Sequence, residues 1–273
     1  NGAAVSGTED IQRYLEGTAD QAVMLTIARA GAAPRDVTVV PIASEARLRN
    51  LTWIEDNRQR VDKLSGGKLG YVYLPNTGGG GFTSFNRYYF AQTDRQGMVI
   101  DDRWNGGGQA ADYMIEVMNR RLISWWQPRY GRIDRTPSAS VLGPKVMLIN
   151  EGSASGGDML PWMFRDFKLG PLVGKRTWGG LVGIGGIPPL MDGGQLTSPS
   201  VGFFSPASEW AVENIGVPPD VEVDQDPAAM MAGGDPQLEK AVSLAMDALA
   251  KNPPPQPKRP PFPLYGPDGP IRR

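Results

Sequence analysis

Cysteine and histidine are both absent from the 273 residues of the chain. The lack of cysteine excludes a thiol nucleophile, disulfides and the common structural zinc sites, and it favours no particular compartment. The lack of histidine removes the side chain that most often serves as a general base near neutral pH. Acid–base chemistry in this chain therefore needs another residue type or a base from elsewhere.

Long apolar runs and an excess of positive charge are also missing. No stretch reaches the roughly 18 apolar residues of a membrane span, and residues 1–20 lack the zones of a signal peptide. Lys and Arg total 28 against 29 Asp and Glu, a net charge of -1, so no basic field attracts nucleic acid or anionic lipid. We expect neither nucleic acid nor a membrane as a partner, and no cofactor or metal.

Glycine and proline are abundant, with 35 and 25 residues, and they divide the chain into segments. Residues 1–42 begin on the turn dipeptide Asn1-Gly2 with no strand before it, so we expect the chain to begin inside a domain. A short helix followed by strands at 21–28 and 37–40 resembles a partial PDZ domain of α+β type.

The next segment and the last one differ from residues 1–42. Residues 43–66 are charged and weakly helical, which predicts a connector. Residues 251–273 contain nine prolines and an excess of basic side chains, so this tail is expected to be extended and to form no core of its own.

Residues 67–250 have the pattern of an α/β domain. Buried strands are predicted at 69–74, 98–102 and 146–149, and the last two are each followed by glycines and a helical period. Asp235-Pro236 is an N-cap with proline in the first turn, which predicts a final helix. This alternation of strands and helices is typical of α/β folds.

The strongest local signal is a strand that passes through small residues into a helix over residues 146–158. Such a turn exposes a side chain beside the free backbone N–H groups of the helix start. Ser155, followed by Gly156, fits a nucleophile there because a small neighbour lets substrate approach. The strict hydrolase elbow is not met, since Ser153 stands where the first glycine belongs. A purely structural Ser/Gly capping turn is the alternative.

A second loop, Asn105-Gly106-Gly107-Gly108, follows the strand that ends at Asp102. Its glycines permit positive φ and close approach of the backbone, so this loop can supply another N–H to the same oxyanion. Phosphate binding is rejected, because GxGxxG is absent and the stretch at 170–177 is one residue short of a Walker motif.

The third cluster is ENIGVPPD at residues 213–220, where Glu213 taken alone is a surface carboxylate. The three clusters in this order resemble the tricorn protease family, relatives of the tail-specific, C-terminal-processing serine peptidases. The resemblance runs from about residue 67 to 224. It implies a crotonase/ClpP-like β-β-α peptidase core over residues 67–250.

The resemblance also implies roles for single residues. Ser155 matches the nucleophile, Gly156 matches one oxyanion amide, and Gly108 or Gly107 matches the other. Glu213 matches the glutamate that orients a histidine through a second serine.

Two departures from the relatives affect the expected mechanism. Tail-specific peptidases carry a lysine base about 25 positions after the nucleophile, where this chain has Gly180. In the tricorn branch the Ser-His pair precedes the PDZ domain, so the catalytic histidine is expected upstream and this chain alone should be nearly inactive. The acidic residue that the resemblance implies for a preference for basic substrate side chains has no clear counterpart near Trp125 and Trp126, so the side-chain specificity stays open.

The leading hypothesis is a serine endopeptidase that acts on peptides or unfolded proteins and forms a homo-oligomer, as the resemblance implies. One alternative is a Ser-Lys peptidase in which Lys175 is the base and has a lowered pKa. Another is a non-catalytic peptide-binding scaffold whose serine and glycine turns are structural.

Overall fold

The computed structural model describes residues 1–262, 264–267 and 269–271, and the chain divides into two compact units, 1–55 and 56–273. The division falls inside one helix, and each unit is described by itself. The domain boundaries expected from the sequence, after residues 42 and 66, flank this helix and stay predictions.

The first unit contains a small antiparallel pair of strands. A 3₁₀ helix at Ile11–Leu15 precedes β1 (Val23–Ile27) and β2 (Arg35–Val39), which pair along their whole length. Val23 is buried, whereas the other strand residues are half-buried or exposed. Two strands with so little burial are marginally stable by themselves.

Helix α1 (Ala46–Ser65) begins in the first unit and ends in the second. The segment interpreted as a weakly helical connector is thus a continuous 20-residue helix. Its many Arg, Leu, Gln and Lys residues have high helix propensity, and Val61 in its last turns is fully buried. Propensity and this apolar anchor together account for the greater helical length.

The second unit alternates strands and helices around one parallel sheet. In chain order its elements are β3 (Leu69–Tyr73), α2 (Gly79–Phe90), β4 (Gly97–Asp101), α3 (Ala111–Met118), β5 (Ser124–Trp126), β6 (Asp134–Thr136), β7 (Lys145–Ile149), α4 (Gly156–Asp166), β8 (Leu172–Gly174), β9 (Gly183–Ile184), β10 (Pro199–Val201), β11 (Val221–Glu222), α5 (Pro227–Met231), α6 (Pro236–Lys251), β12 (Leu264–Gly266) and β13 (Gly269–Ile271). The strand order in the sheet is β11-β8-β7-β4-β3, and all of its pairs are parallel. The α/β fold expected from the sequence is present.

Both faces of the sheet are covered. Alternate strand residues such as Met98, Ile100 and Met147 join one apolar cluster with residues of α2, α3 and α4. Helix α6 contacts β3, β4, β7 and β8 and buries Leu238 and Val242. Every residue of β3, β4 and β7 is buried, as expected for a parallel sheet between two helical layers.

The strands of this unit that lie outside the five-stranded sheet are short. Strands β5–β6, β9–β10 and β12–β13 form three separate antiparallel pairs. The last pair lies in the tail that was expected to be extended, so part of this tail forms a hairpin. Residues 263, 268, 272 and 273 of that tail lie outside the described residues.

Candidate active site

Three loops meet at the carboxyl edge of the parallel sheet, where α/β folds commonly bind ligands. They follow β4, β7 and β8. The Ala154 amide donates to the Asn105 carbonyl at 2.9 Å, which joins the first two loops. The Trp178 amide donates to the Ser153 carbonyl at 2.9 Å, which joins the second and third. Two of the segments singled out in the sequence, 105–108 and 146–158, are therefore parts of one hydrogen-bonded site with the loop after β8.

Ser155 stands at the start of α4 in an unusual backbone conformation. Its φ of 55° and ψ of -114° are rare for a residue with a side chain, and such a conformation costs on the order of 1–3 kcal/mol. Its N–H donates to the Gly180 carbonyl at 3.1 Å, and its carbonyl accepts from the Asp158 N–H at 2.8 Å. Its half-buried hydroxyl has no hydrogen-bond partner within the described ranges.

The glycine loop after β4 lies directly against Ser155. A Cβ on Gly107 would lie 2.7 Å from the Ser155 Cβ, so this approach requires glycine. The Gly107 N–H is already bonded to the Asn105 Oδ1 at 2.9 Å. In the part of the chain that the structure describes, the N–H groups of Gly108 and Gly156 have no acceptor.

The two free amides are neighbours. A Cβ on Gly156 would lie 2.8 Å from the Gly108 nitrogen and 2.4 Å from the Gly108 carbonyl oxygen. Of the two glycines left open by the sequence, Gly108 is therefore the one whose amide is available beside Gly156. A pair of preorganised N–H groups of this kind stabilises an oxyanion.

Glu213 is half-buried and binds the chain segment that follows Gly180. Its Oε2 accepts hydrogen bonds from the amides of Leu181 and Val182, at 2.6 and 2.8 Å. The structure thus links Glu213 to Ser155 through Gly180 and Leu181, because Gly180 accepts the Ser155 N–H.

The sequence model described as Peptidase family S41 matches residues 68–223, more than half of the chain. The chain belongs to peptidase family S41.

Two similar S41-related proteins are much longer than this chain. Tricorn protease homolog 1 of Streptomyces coelicolor is 39% identical over 253 residues, which cover 92% of this chain and 24% of that protein. Tricorn protease of Thermoplasma volcanium is 32% identical over 251 residues, which also cover 92% of this chain and 24% of that protein. This chain therefore spans about a quarter of their length.

A solved structure gives the same result. The crystal structure of the tricorn protease matches with a TM-score of 0.85 at 33% identity, over 91% of this chain and 24% of that chain. The resemblance to the tricorn protease family that the motifs predicted is confirmed, as is the α/β fold class.

Two features of this S41 site bear on a lysine base. A Cβ on Gly180 would lie 2.4 Å from the Cζ3 atom of the Trp178 ring, so this ring fills the space that a lysine side chain would need. Lys175 forms ion pairs with Glu222 at 2.6 Å and Asp224 at 2.9 Å. These two hydrogen-bonded carboxylates raise the pKa of Lys175, whereas the Ser-Lys hypothesis expected a lowered pKa.

Two residues that shape this site were not predicted from the sequence. The Thr77 N–H donates to the Gly107 carbonyl at 3.0 Å, and its carbonyl accepts from the Ala110 N–H at 2.7 Å, so Thr77 holds the glycine loop. Asp158 accepts from the amides of Gly179 at 2.7 Å and Gly180 at 3.3 Å. An acid three positions after the serine, in the first helical turn, was a signal for the second residue.

A buried acid lies below the glycine loop. The Asp102 Oδ1 accepts from the Asn105 side chain at 2.7 Å, while its Oδ2 is buried without a partner among the described residues. Burial raises the pKa of Asp102 well above its usual range, and the charges of Asp101 and Asp158 raise it further against the lowering effect of the Asn105 hydrogen bond.

Within residues 1–262, 264–267 and 269–271, no group of three or more Asp or Glu side chains is arranged to hold a metal ion. None of the helices in that same part of the chain combines the length and apolar character needed to cross a bilayer.

Proposed function

We propose that this chain is the nucleophile-bearing part of a tricorn-like serine endopeptidase that hydrolyses peptides through Ser155. The observation that carries the proposal is the unpartnered Ser155 hydroxyl beside the free amides of Gly108 and Gly156. Membership of family S41 supports it, because peptide hydrolysis through a serine needs this combination of nucleophile and oxyanion donors.

The proposed chemistry is acyl transfer in two steps. The Ser155 Oγ bonds to the carbonyl carbon of the substrate, its proton passes to a general base, and the amides of Gly108 and Gly156 bind the oxyanion. The tetrahedral species then breaks the C–N bond, and the base gives its proton to the leaving amine. Water releases the acyl group by the same steps, which returns the serine to its starting state.

In this proposal the general base lies outside these 273 residues, which contain no histidine. The resemblance implies a histidine that a second serine and Glu213 orient. Only one oxygen of Glu213 is engaged by backbone amides, so the other is available for such a serine. Without the base we expect residual catalysis of about a thousandfold over water, far below a working enzyme.

The test compares this chain with a longer protein made from its upstream coding sequence. A fluorophosphonate probe should label Ser155 rapidly in the longer protein and slowly in the chain alone, and Ser155→Ala should abolish labelling and hydrolysis in both. Equal labelling of Ser155 in the two proteins would contradict the missing base.

The same experiment separates the alternatives. If Ser155→Ala changes neither hydrolysis nor peptide binding in the longer protein, the chain is a peptide-binding scaffold with structural turns. If the chain alone hydrolyses peptide and Lys175→Ala abolishes this, the base is Lys175. The ion pairs of Lys175 with Glu222 and Asp224 argue against the second outcome.

The resemblance also implies two domain folds and an assembly state. We infer that residues 1–42 are a PDZ-like module, that the sheet with its helical layers is a crotonase/ClpP-like core, and that the working peptidase is a homo-oligomer. The antiparallel β1–β2 pair and the parallel five-stranded sheet are compatible with the first two. Light scattering on the longer protein tests the third.

A further inference from the structure

We propose that Asp158 is a positioning residue for Ser155: its buried carboxylate fixes Gly179 and Gly180, and Gly180 in turn fixes the backbone of Ser155. This inference rests on the proposed function, in which Ser155 is the nucleophile. Asp158 is not assigned to touch the substrate.

The contacts form a closed ring. The Asp158 Oδ1 and Oδ2 accept from the Gly179 and Gly180 amides at 2.7 and 3.3 Å. The Gly180 carbonyl accepts from the Ser155 N–H at 3.1 Å, and the Ser155 carbonyl accepts from the Asp158 N–H at 2.8 Å. Both backbone groups of Ser155 are therefore held, directly or through one residue, by Asp158.

Ser155 is strained, so contacts such as this ring are needed to stabilise its backbone conformation. A residue with a side chain stays at a φ of 55° only where its surroundings hold it there. The Asp158 carboxylate is fully buried and lies in the first turn of α4, where the helix dipole favours a negative charge. Hydrogen bonds from amides to such a carboxylate are stronger than bonds between neutral groups.

Asp158 and Glu213 share one segment between them. Asp158 holds the amides of residues 179 and 180, and Glu213 holds those of 181 and 182, so four successive N–H groups are bound by two carboxylates. Only the half held by Asp158 bonds to Ser155. Loss of Asp158 should therefore release Ser155 while Glu213 keeps the rest of the segment in place.

The consequence falls on the oxyanion donors. The Gly156 amide follows Ser155 directly, so its direction depends on the ψ angle of Ser155. If Ser155 relaxes towards an ordinary conformation, the Gly156 amide turns away from the Gly108 amide. In the working peptidase this should lower kcat by about tenfold or more and leave KM within about threefold, because the lost interaction acts in the transition state.

The test uses Asp158→Asn, with Asp112→Asn as a matched control. In Asp158→Asn the second oxygen becomes an NH2 group that donates, so the Gly180 amide loses its acceptor. Asp112 is an exposed acid in the first turn of α3, so its variant makes the same charge change away from the ring. Amide hydrogen exchange by NMR is measured for both.

Wild-type exchange provides an arm that needs no variant. The amides of Ser155, Gly179 and Gly180 should be protected from exchange to the same degree, relative to the rate of each amide in an unstructured peptide, because they belong to one ring. In Asp158→Asn all three should exchange about tenfold faster, the effect of one lost hydrogen bond, and Asp112→Asn should match wild type. Clearly different protection of the Ser155 and Gly180 amides in the wild type would overturn the proposal even if Asp158→Asn does not fold.

A second arm uses phenylboronic acid, whose boron becomes tetrahedral and negatively charged when the Ser155 Oγ bonds to it and the serine proton passes to solvent or to the base. In wild type this should shift the Gly108 and Gly156 amide signals, and Ser155→Ala should abolish the shifts. Asp158→Asn should bind about tenfold more weakly, whereas binding equal to wild type would refute positioning by Asp158. If neither the wild-type chain nor the longer protein, which carries the base, shows a Ser155-dependent shift, the proposed function fails, and the exchange arm alone decides the role of Asp158.

Discussion

Glu213 binds two amides through a single oxygen, and this asymmetry separates two roles of one side chain. The Oε2 atom accepts from Leu181 and Val182, whereas Oε1 has no hydrogen bond in the described part of the chain. The first oxygen holds the segment that bonds to Ser155. In the proposed function the second oxygen is free to orient a base through another hydroxyl.

We predict that Glu213→Gln and Glu213→Ala behave differently. The glutamine oxygen can still accept from both amides, so stability to urea should stay within about 0.5 kcal/mol, while the loss of the free acceptor lowers hydrolysis by the longer protein. The alanine variant leaves two amides without acceptors and should lose about 1–3 kcal/mol as well. Full hydrolysis by Glu213→Gln would remove Glu213 from the orientation of the base.

Elements of the core differ in how well local sequence predicts them. Strands β3, β4 and β7 lie within one residue of their predicted starts, because continuous apolar runs bounded by glycine, proline or lysine specify buried parallel strands. Helix α2 was not predicted, since the three glycines of its first turn and the N-cap Gly78 oppose helix formation. Burial of Phe85 and Tyr89 and the amides held by Asn76 offset that cost.

Helix α6 is joined to the sheet through its N-cap residue. Asp235 caps the helix by accepting from the Leu238 amide at 3.0 Å. The same carboxylate lies 3.0 Å from the fully buried Arg103, which also pairs with Asp101 at 2.7 Å. The cap, the helical layer and the end of β4 are therefore joined by one buried ionic cluster.

We predict that Asp235→Ala lowers the free energy of unfolding by about 3–5 kcal/mol, because it removes a cap and a buried partner of Arg103. Asp226→Ala is the matched control, since Asp226 caps the short exposed helix α5 by accepting from the Ala228 amide and forms no ion pair with any described residue. That variant should lose only about 1 kcal/mol. Equal losses in urea unfolding would mean that the Arg103 contact contributes nothing.

On the scale of the whole molecule, the sequence predicts where the site is but not how it is held. Ser155, Gly156 and Gly108 follow strands of one parallel sheet, so their meeting at its carboxyl edge follows from topology. The contact of Asp158 with Gly179 spans 21 positions and depends on how the loop after β8 folds back. No local pattern specifies such a contact.

Two buried groups make the stability of the whole domain depend on pH in opposite directions. Burial raises the pKa of Asp102, and burial also lowers the pKa of Lys145 to about 8, although its ammonium donates to the Val141 carbonyl at 2.7 Å. Between the unfolded pKa and the folded pKa of Asp102, the unfolded chain has released the carboxyl proton whereas the folded chain still holds it. The free energy of unfolding therefore falls as pH rises, until the folded pKa is passed. Between about pH 8 and 10.5 the unfolded chain keeps the lysine proton that the folded chain has lost, so stability rises.

We predict that Asp102→Asn isolates the first of these effects. Asparagine mimics the protonated acid and keeps an oxygen for the Asn105 side chain. Its advantage over wild type in urea unfolding should be close to zero near pH 4 and should grow by up to about 1.4 kcal/mol per pH unit towards the folded pKa. The rise above pH 8 should persist in both proteins, because Lys145 is unchanged. A flat curve for Asp102→Asn would mean that its carboxyl ionises in the folded protein as easily as in the unfolded chain, and the buried acid below the glycine loop would then carry a charge at neutral pH.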